Sequence, residues 1–211
     1  MFKYPDAVIM VFCKAPIPGQ VKTRLMPHLT AQDAAKLHRE LSQITLQTVT
    51  QNKLCEVQLW CTSHLDHQFF VMLSKKYSVT RRLQVGEDLG ERMNHAFCNA
   101  LTDFNKAILI GCDCPSLTSV DLDQALTQLS EGAQCVISPA EDGGYVLIGL
   151  ENAQPELFSD MPWGTDQVLD MTREKIKALS IHYCELSTQW DVDTCQDLLK
   201  YREMSAFKHR V

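Results

Sequence analysis

Short apolar runs suited to buried strands alternate along the 211 residues with segments whose apolar positions recur every three or four residues. Residues 7–13 (AVIMVFC), 56–61 (EVQLWC) and a short stretch at 79–84 read as strands. KAILIG at 106–111 has the pattern of a central strand, apolar and bounded by a turn, and further strands are expected at 134–138, 144–149 and 181–184. Thr30, with Asp33 three residues on, predicts a capped helix whose apolar stripe is Ala34, Leu37, Leu41, Ile44 and Thr48. Other helices are expected at 64–75 (with Phe69, Val71, Met72 and Leu73), from the Gly86–Gly90 loop to about 103, and at about 165–178. Thr118 with Asp121 caps a helix to about Ser130, and Thr194 with Asp197 caps the last one. The alternation predicts an α/β fold: one three-layer domain over residues 1–211 with a mixed, mostly parallel sheet covered on both faces. Residues from about 201 to 211 read as a mobile tail.

Composition narrows the class. Hydrophobic residues are 45% and charged residues 22%, as in ordinary globular chains. With 20 Lys and Arg against 26 Asp and Glu the net charge is −6, a poor footprint for nucleic acid or a membrane surface. No apolar run approaches the roughly 18 residues of a membrane span, and the N-terminal residues lack the pattern of a signal peptide. Nine cysteines, odd in number and several inside apolar runs, argue for reduced thiols and a cytoplasmic protein.

Candidate chemistry falls in the loops after the strands, where ligands of parallel sheets collect. In KAPIPGQVKTRL (14–25) the formal charges are Lys14, Lys22 and Arg24, all positive, around a turn made by Gly19 and two prolines. Such a loop suits a di- or triphosphate, although a solvated basic loop would carry the same charges. Its spacing is not that of a Walker A loop. GCDCP (111–115) puts Asp113 at the end of the central strand, where it can hold Mg²⁺ or Mn²⁺ or act merely as a turn residue. Zinc on Cys112 and Cys114 lacks a second cysteine pair at ligand spacing. In EDGGYVLIG (141–149), Gly143 and Gly144 allow close backbone approach between Asp142 and Tyr145, or simply form a hairpin. In WDVDT (190–194), Asp191 and Asp193 share a face in extended chain, and either carboxylate can complete a metal site begun by Asp113. MPWGTD (161–166) offers Trp163 to an acceptor and Asp166 as a base, while His64 and His67 fit a surface helix face better than a metal site.

Taken together, FCKAPIPGQVKTRL (12–25), QVGEDLGERM (84–93), LIGCDCPSL (109–117), SPAEDGGYVLIGL (138–150), FSDMPWGTDQVL (158–169) and DVDTCQDL (191–198) resemble a known group. It is the bacterial nucleotide-diphospho-sugar transferases of GT-A type called MobA-like, some of which are described as arsenosugar-biosynthesis glycosyltransferases. The resemblance implies a nucleotide-sugar fold with a divalent metal, Mg²⁺ or Mn²⁺, on Asp113 and Asp193. It also implies phosphate binding by Lys14, Gly19, Lys22, Thr23 and Arg24, with Gly143, Gly144, Tyr145 and Trp163 lining a substrate pocket. Asp142 or Asp166 would be the catalytic base. GCDCP has one Asp where the family pattern has a DxD pair, and the DGGY and DVDT stretches also resemble guanylyltransferases acting on 2-phospholactate. The expected function is therefore glycosyl transfer from a nucleotide sugar to a small-molecule acceptor, with nucleotidyl transfer from an NTP as the alternative. A nucleotide-binding regulatory module without turnover is the non-enzymatic reading. No nucleic-acid or membrane partner is expected, and a homodimer is compatible with the sequence.

Overall fold

The computed structural model describes residues 1–62 and 64–208. Its strands are β1 (Ala7–Cys13), β2 (Glu56–Cys61), β3 (Thr80–Leu83), β4 (Lys106–Ile110), β5 (Cys135–Pro139), β6 (Tyr145–Leu150) and β7 (Tyr183–Glu185). They form one seven-stranded sheet in the order β3-β2-β1-β4-β6-β5-β7. Only β6 runs against its neighbours β4 and β5; the other pairings are parallel, so the sheet is mixed and mostly parallel as expected. The reversal of β6 has a consequence for chemistry. Its first residues stand at the same edge as the carboxyl ends of β1, β4 and β5, which brings DGGY beside the other candidate loops.

The helices are α1 (Ala31–Gln51), α2 (Gln68–Tyr77), α3 (Leu89–Ala100), α4 (Ser119–Ser130), α5 (Val168–Ala178) and α6 (Cys195–Lys208). Side chains alternate across each strand. Ile9, Val11, Ile108 and Ile110 therefore pack with Leu46 and Val49 of α1, Phe70 of α2 and Leu126 of α4 on one face. Val8, Met10, Leu109 and Ile148 pack with Phe97 of α3 and Ile176 of α5 on the other. A third, smaller cluster joins Leu25, Leu37, Leu41, Val192, Leu198 and Tyr201, seating α6 on α1 and on the loop after β1.

Several boundaries differ from the sequence expectation. The helix expected from 64 starts at Gln68, because His67 caps it by accepting the Phe69 N–H at 3.2 Å. On α2, Phe70 is fully buried, whereas Met72 is 38% exposed. The helix expected from about 165 starts at Val168, since residues 165–167 form a turn closed by Thr165 Oγ1. On α1 the stripe is too narrow a description. The helix lies between the sheet and α6, so Ala35, His38, Ser42 and Thr45 are buried as well. Residues 201–208, expected as a tail, continue α6, with Tyr201 only 4% exposed; residues 209–211 lie outside the described residues. Among the described residues no helix is long and apolar enough to cross a membrane.

Candidate active site

Past β1 the chain turns at Gly19 (φ 82) and enters a short 3-10 turn, Thr23–Leu25. Leu25 is fully buried in the third cluster and draws the turn inward. Lys22, just before it, takes the left-handed conformation at φ 50, uncommon for a residue with a side chain. Its side chain is only 4% exposed, and Nζ donates to Asp113 Oδ2 at 2.7 Å and Asp193 Oδ1 at 2.9 Å. Arg24 reaches Asp193 Oδ2 from the solvent side at 3.4 Å.

The loops carrying the two carboxylates are tied together. The Val192 N–H donates to the Asp113 carbonyl at 3.0 Å. Ser116 Oγ accepts the Trp190 N–H at 3.0 Å and donates to the Trp190 carbonyl at 3.1 Å. Asp197 holds the start of α6 by accepting the N–H groups of Asp193 and Thr194, which orients Asp193. The result is a triad, Asp113, Asp191 and Asp193, with one oxygen from each within 4.8 Å of the others.

Three carboxylates face one enclosed ammonium, and the proton equilibria record the imbalance. Burial alone would lower Lys22, but Asp113 and Asp193 hold its ammonium well above the ordinary range. Burial alone would raise Asp113, yet the Lys22 charge keeps it below the usual carboxylate range. For Asp191 the balance runs the other way: burial, then the charges of Asp113, Asp193 and Asp142, outweigh Lys22 and push it up to about 7. A set of hard oxygen donors carrying excess negative charge fits a divalent cation.

The triad borders a cleft of about 450 Å³ whose lining includes Lys14, Lys22, Thr23, Arg24, Asp113 and Asp193. These six of the sequence-derived site residues are thus brought together. Gly19 shapes the loop from outside the lining. Asp142 and Asp166 are exposed and stand beyond it, Asp142 near enough to act on Asp191. Gly143 (φ 87) packs so closely on residue 166 that a Cβ there would lie 2.3 Å from the Asp166 carbonyl oxygen. Gly144 donates its N–H to Asp142 Oδ1 at 3.0 Å. Tyr145 and Trp163 meet edge to face at 6.5 Å and pack against the second core cluster rather than in the cleft.

Several lining residues carried no assignment in the sequence. Arg92 lies within the 84–93 stretch; its side chain reaches the cleft while Nε donates to the Gly86 carbonyl at 2.9 Å. Gln84 lines the same wall, and Cys13, His38 and Cys112 form part of the floor. The buried thiols of Cys13 and Cys112 act on each other, which raises Cys13 well above the usual thiol range and draws Cys112 below it.

A three-layer α/β domain with its cleft at the carboxyl edge of the sheet, faced by cations and a carboxylate triad, has the architecture of the nucleotide-diphospho-sugar transferases. The chain belongs to the family described as an uncharacterized protein conserved in bacteria, DUF2064, whose model matches residues 45–165. A structure from Desulfovibrio desulfuricans, assigned as a candidate nucleotide-diphospho-sugar transferase, shares 32% identity at a TM-score of 0.84, over 92% of this chain and 85% of that one. The 4-diphosphocytidyl-2C-methyl-D-erythritol synthase of Anaerococcus prevotii has the same fold at 12% identity (TM-score 0.63, covering 92% and 95%). So does the glucosyl-3-phosphoglycerate synthase of Mycobacterium tuberculosis, solved with Mg²⁺ and UDP, at 10% identity (TM-score 0.53, covering 92% and 74%). No curated protein matches the chain.

Proposed function

We propose that the protein transfers a sugar from a nucleotide-diphospho-sugar to a small-molecule acceptor with the help of a divalent metal. The observation that carries this reading is one cleft that Lys14, Arg24 and Arg92 line together with Asp113 and Asp193, the two carboxylates grouped with Asp191. Arg24 is exposed enough to reach a diphosphate, and its planar fork suits bidentate contact with phosphate oxygens. Lys14 and Arg92, also in the lining, supply further positive charge, while Thr23 offers a hydroxyl donor. Lys22 stays with the carboxylates and fixes their spacing. Mg²⁺ or Mn²⁺ held by the triad would neutralise charge on the departing diphosphate. In the transfer the sugar–phosphate bond breaks as an acceptor hydroxyl attacks the anomeric carbon, and the hydroxyl proton passes to a carboxylate. Asp142 is better placed than Asp166 for that role, because its charge already reaches the triad. The order of the motifs from 12 to 198 supports a MobA-like relation, and nine free cysteines support a reducing, cytoplasmic setting.

Nucleotidyl transfer is the second reading, favoured by the fold shared with a diphosphocytidyl synthase and by enough cationic charge for a triphosphate. The bond broken separates the two. The protein is incubated with nucleotide sugars and candidate acceptors, and separately with NTPs and sugar phosphates, each with Mg²⁺ or Mn²⁺. A nucleoside phosphate released together with a new glycoside supports glycosyl transfer. Pyrophosphate released with a new nucleotide conjugate, and no glycoside from any nucleotide sugar, overturns it.

A further inference from the structure

The cleft floor contains a group of donors for which the proposed transfer has no use. Cys13 ends β1, and Cys112 stands two residues beyond β4. The β1–β4 register, with Val11 opposite Ile110, continues to set Cys13 beside Cys112. Both thiols enter the face of the sheet covered by α1, among Ile9, Val11, Ile108 and Ile110. His38 of α1 lies over them. Cys13, His38 and Cys112 are 1%, 4% and 5% exposed, and one donor atom of each is within 4.8 Å of the others. The group is braced. Ser42 Oγ donates to the His38 carbonyl at 2.7 Å and stands 3.5 Å from Cys13 Sγ. His38 Nε2 is 2.9 Å from the Lys14 carbonyl, which only accepts, so in the neutral ring Nε2 carries the proton and Nδ1 keeps the lone pair.

We propose that Cys13, His38 and Cys112 form a soft-metal site that takes Zn²⁺ through two thiolates and one imidazole, with its fourth position open to the cleft. The chemistry of the donors separates this site from the triad above it. Sulfur and imidazole select zinc, whereas carboxylate oxygens select Mg²⁺ or Mn²⁺. All three residues are also among those that line the cleft, which supplies an entry path and a place for the fourth ligand. A disulfide fits the same pair less well. Neighbours in register on adjacent strands stand about 4.8 Å apart with parallel side chains, while a disulfide needs Cβ atoms about 3.5–4.5 Å apart. Two sulfurs on one zinc, each at about 2.3 Å, stand roughly 3.8 Å from each other, and the bridge closes without drawing the strands together. Binding displaces the thiol protons to solvent, so no oxidant or reductant is involved.

The test uses the full-length protein, reduced and freed of metal, titrated with Co²⁺ and followed by thiolate-to-cobalt charge-transfer absorption. One equivalent of Co²⁺ should saturate the band, and Zn²⁺ should displace it. Cys13→Ser and Cys112→Ser should abolish the band and His38→Ala should weaken binding at least tenfold. Cys55→Ser, a buried cysteine outside the group, and Asp193→Asn should both retain it. A second measurement needs only the wild-type chain: Zn²⁺, and not Mg²⁺, should shield Cys13 and Cys112 from alkylation in a peptide mass map. The proposal is overturned if folded wild-type protein gives no thiolate band with stoichiometric Co²⁺, or if Zn²⁺ leaves the alkylation of both cysteines unchanged. It is equally overturned if mild oxidation joins Cys13 to Cys112 in protein whose reduced form binds neither ion, which would make the pair a redox couple.

Discussion

Lys22 holds a left-handed backbone conformation and an enclosed ammonium between two carboxylates, both of which cost free energy that its neighbours must offset. Its contribution therefore differs from that of Arg24, only one position away from the 3-10 turn's start and 62% exposed. Lys22→Met leaves Asp113 and Asp193 without their shared donor. Losing a hydrogen bond between charged groups should lower stability by about 1.5–3 kcal/mol in metal-free urea titrations. Millimolar Mg²⁺ should then stabilise the variant more than the wild type, because the triad is freed of its competing cation; equal gains would contradict the assigned role. Arg24→Ala should leave the urea midpoint unchanged but weaken nucleoside diphosphate binding about tenfold or more in calorimetry, the loss expected for a charge-assisted contact. The basic character of this loop was legible in the chain, but the division of labour within it was not. Lys22 meets carboxylates 91 and 171 residues away, and no local pattern encodes which lysine turns inward. The signal that could have shown it is the apolar pair Val21 and Leu25, both buried, which anchor the turn from either side of Lys22.

The elements deliver these side chains through a few tight junctions. β5 and β6 are joined across residues 140–144, where the Ala140 N–H donates to the Gly144 carbonyl at 2.9 Å and Gly143 backs onto residue 166. Gly143→Ala combines a positive φ with a Cβ only 2.3 Å from backbone oxygen, so the two loops must part. The backbone strain alone should destabilise the protein by about 1–3 kcal/mol, and stability and activity should both fall further than in Gly132→Ala, an exposed position that shares the positive φ (103) but where a Cβ meets nothing within 4 Å. Comparable stability of the two variants would contradict the packing. A second junction joins α5 to β7, where Arg173 donates to both oxygens of Glu185 at 2.8 Å. These hydrogen bonds hold Glu185 below its ordinary value of 4.5, so the stabilisation is complete above that value and is lost as pH falls through the depressed one. Arg173→Leu should therefore cost about 0.2–1 kcal/mol at pH 7, and the gap from wild type should close as pH falls below the ordinary Glu value and through the depressed one. A gap that widens in acid would reverse the sign of the linkage. The strands were legible because each is a short apolar run closed by a turn. Helix starts were less so: His67 is an unusual cap for α2, and Thr165 closes a turn before α5 rather than capping a helix that begins there.

Across the whole molecule, the order of strands decides where chemistry can gather. Alternating runs and helices imply a mostly parallel sheet, and that inference held; the hairpin reading of 141–149 anticipates the reversal of β6 against β5, but the sequence does not reveal that β6 inserts between β4 and β5. That reversal places Asp142 at the edge that carries Asp113, while α6, folded back on α1, brings Asp191 and Asp193 to the same edge. The cleft is thus assembled from five separated stretches, around residues 12–24, 38, 84–92, 111–113 and 193, and the roles of His38 and Arg92 in its lining appear only in three dimensions. The account turns on this cleft being a metal-assisted nucleotide site. The most direct measurement is a thermal-shift screen of nucleoside diphosphates, triphosphates and nucleotide sugars, each with and without Mg²⁺ or Mn²⁺, on wild type, Arg24→Ala and Asp113→Asn. A ligand at a hundred times its Kd adds about 2.7 kcal/mol to the native state. The account predicts that a nucleotide sugar produces the largest rise in melting temperature, only with metal, and that both substitutions diminish it. It is contradicted if no nucleotide shifts the wild type, or if the shift persists undiminished in Asp113→Asn without metal.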